Sequence, residues 1–341
     1  MSTNLHAAVP ARPAGHDKNG RPALSVVLPM YNETRNLERL FPRLSIVLEG
    51  IGLSYEVICI DDGSRDSTLE RLIAEHRHDP HVKVLALSRN FGKEVALTAG
   101  ISHARGDAVV TMDADLQHPP EVIAEMVAKW REGFEVAYAV RRSRDTDSLR
   151  HRLGASVFYW LFRHLSETHL PSGAGDFRLM DRKVVDALNR LPERARFMKG
   201  LFAWVGFTQA PVPFDPAARE DGRSRWTLRR LWRFALDGVT SFSTLPLRIW
   251  TFVGMAIAVP SLCYGAYLVL DTLIEGIDVP GYASVMVAVL FLGGVQLLTL
   301  GIIGEYIGRI FNEVKHRPLY LVRARYGIEE TPVTSEAPAH R

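Results

Sequence analysis

The sequence predicts an α/β domain built on a mostly parallel sheet, followed by a C-terminal two-helix transmembrane hairpin. Three observations carry this. From Leu24 onward short apolar runs alternate with amphipathic stretches, the pattern of repeated βαβ units. Each apolar run ends in a cluster of polar and turn-forming residues. Late in the chain, two long segments carry no charged residue.

The first strand, "ALSVVLP", leads through "PMYNE" into the helix "NLERLFPRLSIVLEG". There Leu37, Leu40, Phe41, Leu44 and Val47 or Leu48 recur at helical spacing and form a core-facing stripe. The strand in "YEVICIDDGS" precedes the helix "STLERLIAEHR", which Asp66 or Ser67 can cap. Next come the strand "VKVLALS" and the helix "KEVALTAGISHAR", then the strand "DAVVTMDAD" and the Pro-started helix "PPEVIAEMVAKWREG", then the strand "FEVAYAVR". Sheets of this kind bind ligands beyond the carboxyl ends of their strands. Here those ends are "PMYNE", "DDGSRDST", "SRNFGKE" and "DADLQ", so one cleft can collect all four.

"IWTFVGMAIAVPSLCYGAYLVL", 249–270, and "YASVMVAVLFLGGVQLLTLGII", 282–303, each reach the ~20 residues that cross a bilayer as a helix. Arginines crowd the approach to the first span in "REDGRSRWTLRRLWR", and basic residues follow the second, whereas the connection "DTLIEGIDVPG" carries only acids. The positive-inside rule places both termini and the α/β domain on the cytoplasmic side. The chain of 341 residues is 47% hydrophobic and 23% charged, enough for one large domain with an attachment. Its formal net charge of +3 implies no polyelectrolyte partner, so nucleic acid is not expected. Cys59 and Cys263 are too few for a disulfide framework, which fits a reducing compartment. The N-terminal segment has no apolar h-region, so no secretory signal is read there.

Asp113 and Asp115, two apart at a strand end, point to one side and offer hard oxygen ligands suited to Mg²⁺ or Mn²⁺. A solvated loop is the plain alternative. Gln117 in the same turn adds a carbonyl ligand. Asp61 and Asp62 fit turn chemistry, or a role as acceptors for a base or ribose; Glu33 fits the ribose hydroxyls. His76, His78 and His81 in "EHRHDPH" read as a solvated junction between helix and strand rather than a metal site. "SLRHRLGASVFYWLFRHL" is amphipathic and aromatic, suited to a membrane interface or to packing on the domain.

In order, "VVLPMYNE", "DDGSRDST", "SRNFGKEVALTAG" and "MDADLQHPPE" resemble the family 2 inverting nucleotide-sugar glycosyltransferases of the A-type, Rossmann-like fold. "GDFRLMDRKVVDAL", "RFMKGLFAWVGF" and "GRSRW", followed by two spans, resemble the polyprenyl-phosphate glycosyltransferases. That group includes bacterial undecaprenyl-phosphate glucosyltransferases of surface-antigen glucosylation and, more distantly, dolichol-phosphate mannose synthases. The resemblance covers roughly residues 24–320. It implies a membrane enzyme of the cytoplasmic (inner) membrane that moves a hexose, glucose from UDP-glucose first, onto a polyprenyl phosphate. Other UDP-hexoses and GDP-mannose are the next donors.

Carried over by motif, Asp113, Asp115 and Gln117 hold the metal, Asp115 thereby serving catalysis. Pro29, Tyr31, Glu33, Asp61, Asp62, Asp113 and Ala114 line the nucleotide-sugar pocket. Arg219, Arg225 and Arg141 are candidates for the acceptor phosphate, since guanidinium forks match phosphate geometry. Asp176 is the acid nearest the acceptor, either a base or an orienting group. The resemblance also implies a homo-oligomer, a tetramer, and Gly293, Gly294 and Gly301 offer close helix packing. The expected organisation is a flexible tail at 1–22, the cytoplasmic glycosyltransferase domain at 23–218, a basic juxtamembrane segment at 219–246, the two spans within 247–308, and a cytoplasmic C-terminal segment and tail at 309–341.

Three other classes are weighed against this. A processive polysaccharide synthase carries Gln-x-x-Arg-Trp and more spans, whereas here Gly222 begins "GRSRW" and only two spans are read. A non-catalytic membrane scaffold of the same fold is expected to lose the acids, all of which are present. A dinucleotide-dependent oxidoreductase lacks its Gly-x-Gly-x-x-Gly after the first strand.

Overall fold

The computed structural model describes residues 21–142, 175–191, 193–194, 196, 198–215 and 281–329, with scattered positions between 254 and 274. Five βα-type strands open the domain: β1 (Leu24–Met30), β2 (Tyr55–Asp61), β3 (Val82–Leu87), β4 (Ala108–Thr111) and β5 (Val136–Arg141). Between them lie α1 (Thr34–Ile51), α2 (Thr68–His78), α3 (Lys93–His103) and α4 (Val122–Arg131). The chain continues with β6 (Arg178–Asp181), α5 (Arg182–Arg190), α6 (Met198–Trp204), β7 (Gln209–Phe214), α7 (Tyr282–Val314) and β8 (Val322–Tyr326).

The eight strands form one sheet in the order β7-β5-β6-β4-β1-β2-β3-β8. β1 pairs in parallel with β2 and β4, β2 with β3, and β5 with β7. β6 runs antiparallel between β4 and β5, and β8 antiparallel along β3. The mostly parallel sheet is the expected one, and these two antiparallel strands are additions to it. Both are short: "RLMD" and "VRARY" hold four and five residues, too little for a period-2 pattern to stand out.

Alternate residues of the central strands serve two cores. Leu24, Val26, Leu28 and Met30 pack with Leu37, Leu40, Phe41, Leu44 and Leu48 of α1, with Leu72 of α2, and with Ile123 and Met126 of α4. Val27 and Ile60 face α3 instead, which lies so close that a Cβ on Gly100 would stand 2.3 Å from Val27 Cγ1. That glycine lets the helix rest on the sheet. α5 starts at Asp181, whose carboxylate accepts the Lys183 backbone N–H (3.1 Å) and the buried Trp130 indole N–H (2.8 Å). Asp181→Ala removes an N-cap, worth about 1 kcal/mol, and orphans a buried donor, worth about 1–3 kcal/mol. A loss of about 2–4 kcal/mol is expected, read as a lower midpoint in thermal denaturation.

The chain divides into two compact units: the sheet domain, which takes in the residues from Pro318 on, and a helical unit. In the helical unit α7 spans 33 residues and continues past the expected end at 303, because no Gly-Pro break interrupts "GEYIGRIFNEV". Among the described residues Phe291–Val314 is long and apolar enough to cross a membrane, with none of it buried. Val289, Phe291, Leu297, Leu300, Ile307 and Phe311 are all exposed. The first expected span lies largely outside the described residues; its described positions are helical.

Candidate active site

Register brings the carboxyl ends of β1, β2 and β4 side by side: Met30 lies opposite Asp61, and Val27 opposite Thr111. The loops that follow are laced together. Asn32, in the left-handed region at φ 56°, donates its N–H to Ser64 Oγ (3.0 Å) and accepts from the Arg65 N–H (2.8 Å). The Glu33 N–H reaches Thr68 Oγ1 at 2.9 Å. Glu33 is partly buried; that desolvation raises its pKa, the Asn36 side-chain amide (2.5 Å) works against the rise, and Asp115 and Asp113 add to it.

Asp61 and Asp62 are both buried, and burial raises the pKa of each. Asp61 accepts the Ser64 N–H at 3.2 Å. Asp62 accepts the N–H groups of Phe91 (2.7 Å) and Gly92 (2.9 Å), fixing the loop that leads into α3. Gly63 between these loops has φ 66°, and an added Cβ would fall 2.5 Å from the Arg89 backbone. Tyr31 is exposed, Pro29 is half-buried in β1, and the Ala114 methyl packs in the core.

After β4 the chain turns at Leu116, φ 58°, and the Gln117 N–H closes onto Asp115 Oδ1 at 3.1 Å. Arg43 of α1 grips Glu121 with two hydrogen bonds (2.7 and 2.8 Å), which ties down the far end of the turn. Ligand atoms of Asp113, Asp115 and His118 all lie within 4.8 Å of one another. His118 packs against Phe177 and Phe214, and its buried Nδ1 has no hydrogen-bond partner among the described residues. Burial lowers the His118 pKa, so its neutral, ligating form is favoured, although Asp113 and Asp115 pull the other way. Two carboxylates and a neutral imidazole form a donor set that fits a Mn²⁺- or Mg²⁺-sized ion. Sequence reasoning named Gln117 and passed over His118, which stood in the same turn.

Antiparallel β6 lies directly beside β4 and brings the third acid. Because Arg178 lies opposite Thr111, the start of β6 meets the end of β4, and Thr111 Oγ1 bonds the Asp176 carbonyl. Lys93 Nζ stands between the two acids, 2.7 Å from Asp113 Oδ1 and 2.7 Å from Asp176 Oδ2. Burial opposes its charge, but Asp113 and Asp176 outweigh that and raise its pKa. Behind Asp176, buried Arg178 lies over the Phe202 ring at 3.8 Å and donates to the Gly175 carbonyl at 2.6 Å. Desolvation lowers its pKa to about 10. The sequence gives Lys93 no role of its own, although it lies in the motif "SRNFGKEVALTAG" that carries part of the family resemblance, and it offers Arg178 only as an arginine that Asp176 orients. Arg141, at the end of β5, is exposed on the same rim. Arg219 and Arg225 lie outside the described residues.

An eight-stranded, mostly parallel sheet with an Asp-x-Asp turn at its carboxyl edge, beside a third acid, defines a glycosyltransferase of the A-type fold. Comparison with known proteins gives the family. Residues 25–188 match glycosyl transferase family 2, and residues 245–310 match the GtrB C-terminal hairpin. An uncharacterized glycosyltransferase of Synechocystis sp. is 55% identical, over 91% of this chain and 98% of its own. The bactoprenol glucosyl transferase of Shigella phage SfV is 44% identical over 88% of this chain and 98% of its own, and a prophage homolog from Escherichia coli is 42% identical over 88% and 98%. The chain belongs to glycosyl transferase family 2, in the branch that carries the GtrB hairpin, and is an enzyme of the hexosyltransferase class.

Proposed function

We propose that this enzyme transfers glucose from UDP-glucose to undecaprenyl phosphate at the cytoplasmic face of the inner membrane, with inversion at the anomeric carbon. The observation that carries the reading is the meeting of the Asp113–Asp115 turn and Asp176 on Lys93 at the carboxyl ends of the central strands. The names of relatives along nearly the whole chain support the glucose and the bactoprenol acceptor. The long apolar α7 and the charge bias around the predicted spans support a multi-pass anchor with both termini inside. Gly293, Gly294 and Gly301 on α7 suit helix packing in a homo-oligomer.

Asp113 and Asp115, with Gln117 or His118 completing the set, hold a divalent cation, Mg²⁺ or Mn²⁺. When bound, the cation neutralises the diphosphate that leaves. Pro29, Tyr31, Glu33, Asp61 and Asp62 border the nucleoside side, where Asp62 acts by fixing the Phe91–Gly92 backbone. A phosphate oxygen of the acceptor attacks C1 from the face opposite the diphosphate. The bond from C1 to the diphosphate oxygen breaks, and an α-linked donor gives a β-linked product. A phosphate monoester is mostly dianionic near neutrality, so no proton need be removed. Asp176 therefore serves as an orienting group, acting through Lys93. Arg141 on the rim, with Arg219 and Arg225 of the basic segment, meets the acceptor's charge.

Purified full-length protein in detergent, given radiolabelled UDP-glucose, undecaprenyl phosphate and Mn²⁺ or Mg²⁺, is expected to form a lipid-linked glucose that a chelator abolishes. Product from a different nucleotide sugar alone would reassign the donor. No product from any donor, by protein shown to be folded, would overturn the enzymatic reading.

A further inference from the structure

Lys93 is the first residue of α3, and the backbone beneath it is fixed, since Asp62 holds the N–H groups of Phe91 and Gly92. Its ammonium lies 2.7 Å from Asp113 Oδ1, 2.9 Å from Asp113 Oδ2 and 2.7 Å from Asp176 Oδ2. It thus covers both oxygens of one acid in the cluster of Asp113, Asp115 and His118, and at the same time holds Asp176.

An ammonium there and a divalent ion on Asp113 compete for the same two oxygens. Each oxygen keeps a second lone pair, but a metal bonded to either one would stand within a few ångströms of the ammonium, and the two positive charges repel. One must yield, and the lysine is built to do so. Its side chain is 45% exposed on a four-carbon stem above a fixed backbone. Its three donors rotate freely, so it can keep Asp176 while turning to an anionic oxygen.

We propose that Lys93 is a displaceable counter-cation of the metal site: it neutralises Asp113 and bridges to Asp176 while no divalent ion is bound, and releases Asp113 to the ion when nucleotide phosphate offers the ammonium a new partner. This rests on the metal-dependent reading above. It makes metal and nucleotide bind cooperatively, because each removes the obstacle to the other. Lys93 is on this account a positioning residue, whose work is to set when Asp113 becomes a ligand and where Asp176 points.

The test is direct Mn²⁺ binding by the full-length protein in detergent, followed by the loss of the free-Mn²⁺ electron paramagnetic resonance signal, without and with UDP. Lys93→Met and Lys93→Gln both remove the charge, and Gln keeps hydrogen-bonding capacity should Met disturb the fold. Either neutral variant is expected to bind Mn²⁺ alone about tenfold or more tightly than the parent, from the loss of one unit charge a few ångströms from the ion. UDP is expected to tighten Mn²⁺ binding less in the variants than in the parent. Neutral variants that are folded and bind Mn²⁺ alone no more tightly than the parent would overturn the proposal. If at the same time the parent binds Mn²⁺ and Asp115→Ala abolishes it, the metal-dependent reading stands and only the role of Lys93 falls. A parent that binds no Mn²⁺ with or without UDP would remove both.

Discussion

Asp115→Ala is expected to slow sugar transfer by about three orders of magnitude or more, because a metal's charge stabilisation of a leaving group is worth several kcal/mol and each 1.36 kcal/mol is tenfold. The same change is expected to leave stability within about 0.5 kcal/mol of the parent, as for a surface substitution away from structural features. The contrast follows from its contacts. Asp113 is ion-paired to Lys93, whereas Asp115 accepts the Gln117 N–H and so closes the turn. The acids of the turn also crowd Glu33, so removing Asp115 relieves a repulsion. The measurement is kcat at saturating UDP-glucose and acceptor, alongside a thermal melt. A fall of less than tenfold in folded protein would take Asp115 out of the catalytic machinery.

Glu56→Ala is expected to do the reverse, unfolding the domain more easily while leaving kcat unchanged at temperatures where it is folded. Glu56 is 2% exposed, and its carboxylate accepts from Ser25 Oγ (2.6 Å), the Arg105 N–H (2.8 Å) and Lys83 Nζ (2.5 Å). It joins β1, β3 and the end of α3 at the edge of the sheet away from the acids. Removing one partner of a buried ion pair costs about 3–5 kcal/mol. Lys83 is 20% exposed and can turn to water, which favours the lower figure. A loss of about 3 kcal/mol corresponds to about 6–12 °C in melting temperature for a domain of this size. Glu56→Gln, which keeps an acceptor and loses the charge, is expected to fall between. A melt within 2 °C of the parent for the alanine variant would refute this account of the cluster.

The parallel half of the fold was legible because its signals are local. The α1 stripe of Leu37, Leu40, Phe41, Leu44 and Leu48 is buried as its spacing requires, and the strand-end clusters meet where the topology brings them. The spacing of Asp113 and Asp115 marks them as a pair at a strand end but leaves a solvated loop open, and their assigned role comes from the family resemblance. The antiparallel strands could not, since β6 is defined by its partners Thr111 and Tyr138 rather than by its own four residues. With β6 hidden, nothing in the sequence placed Asp176 within a lysine's length of Asp113, and Lys93 read as an ordinary helix start. The place of His118 beside the acids is hidden for a related reason. Its burial comes from Phe177 and Phe214, nearly sixty and one hundred residues away, and a neighbouring amide looked the simpler ligand.

The last strand of the sheet is also the last to be made. β8 caps the β3 edge through the antiparallel register Val84 to Tyr326 and Leu85 to Arg325, yet it lies after α7 in the chain. During synthesis, which proceeds from the N-terminus, the seven preceding strands are available while residues 322–326 are still inside the ribosome. Until they emerge, β3 presents an open row of backbone donors and acceptors, the kind of edge on which chains aggregate. The apolar helix α7 precedes this strand in the chain, so it leaves the ribosome before the sheet is closed. The direction of synthesis therefore sets the order: α7 is delivered first, and the catalytic domain is sealed only afterwards.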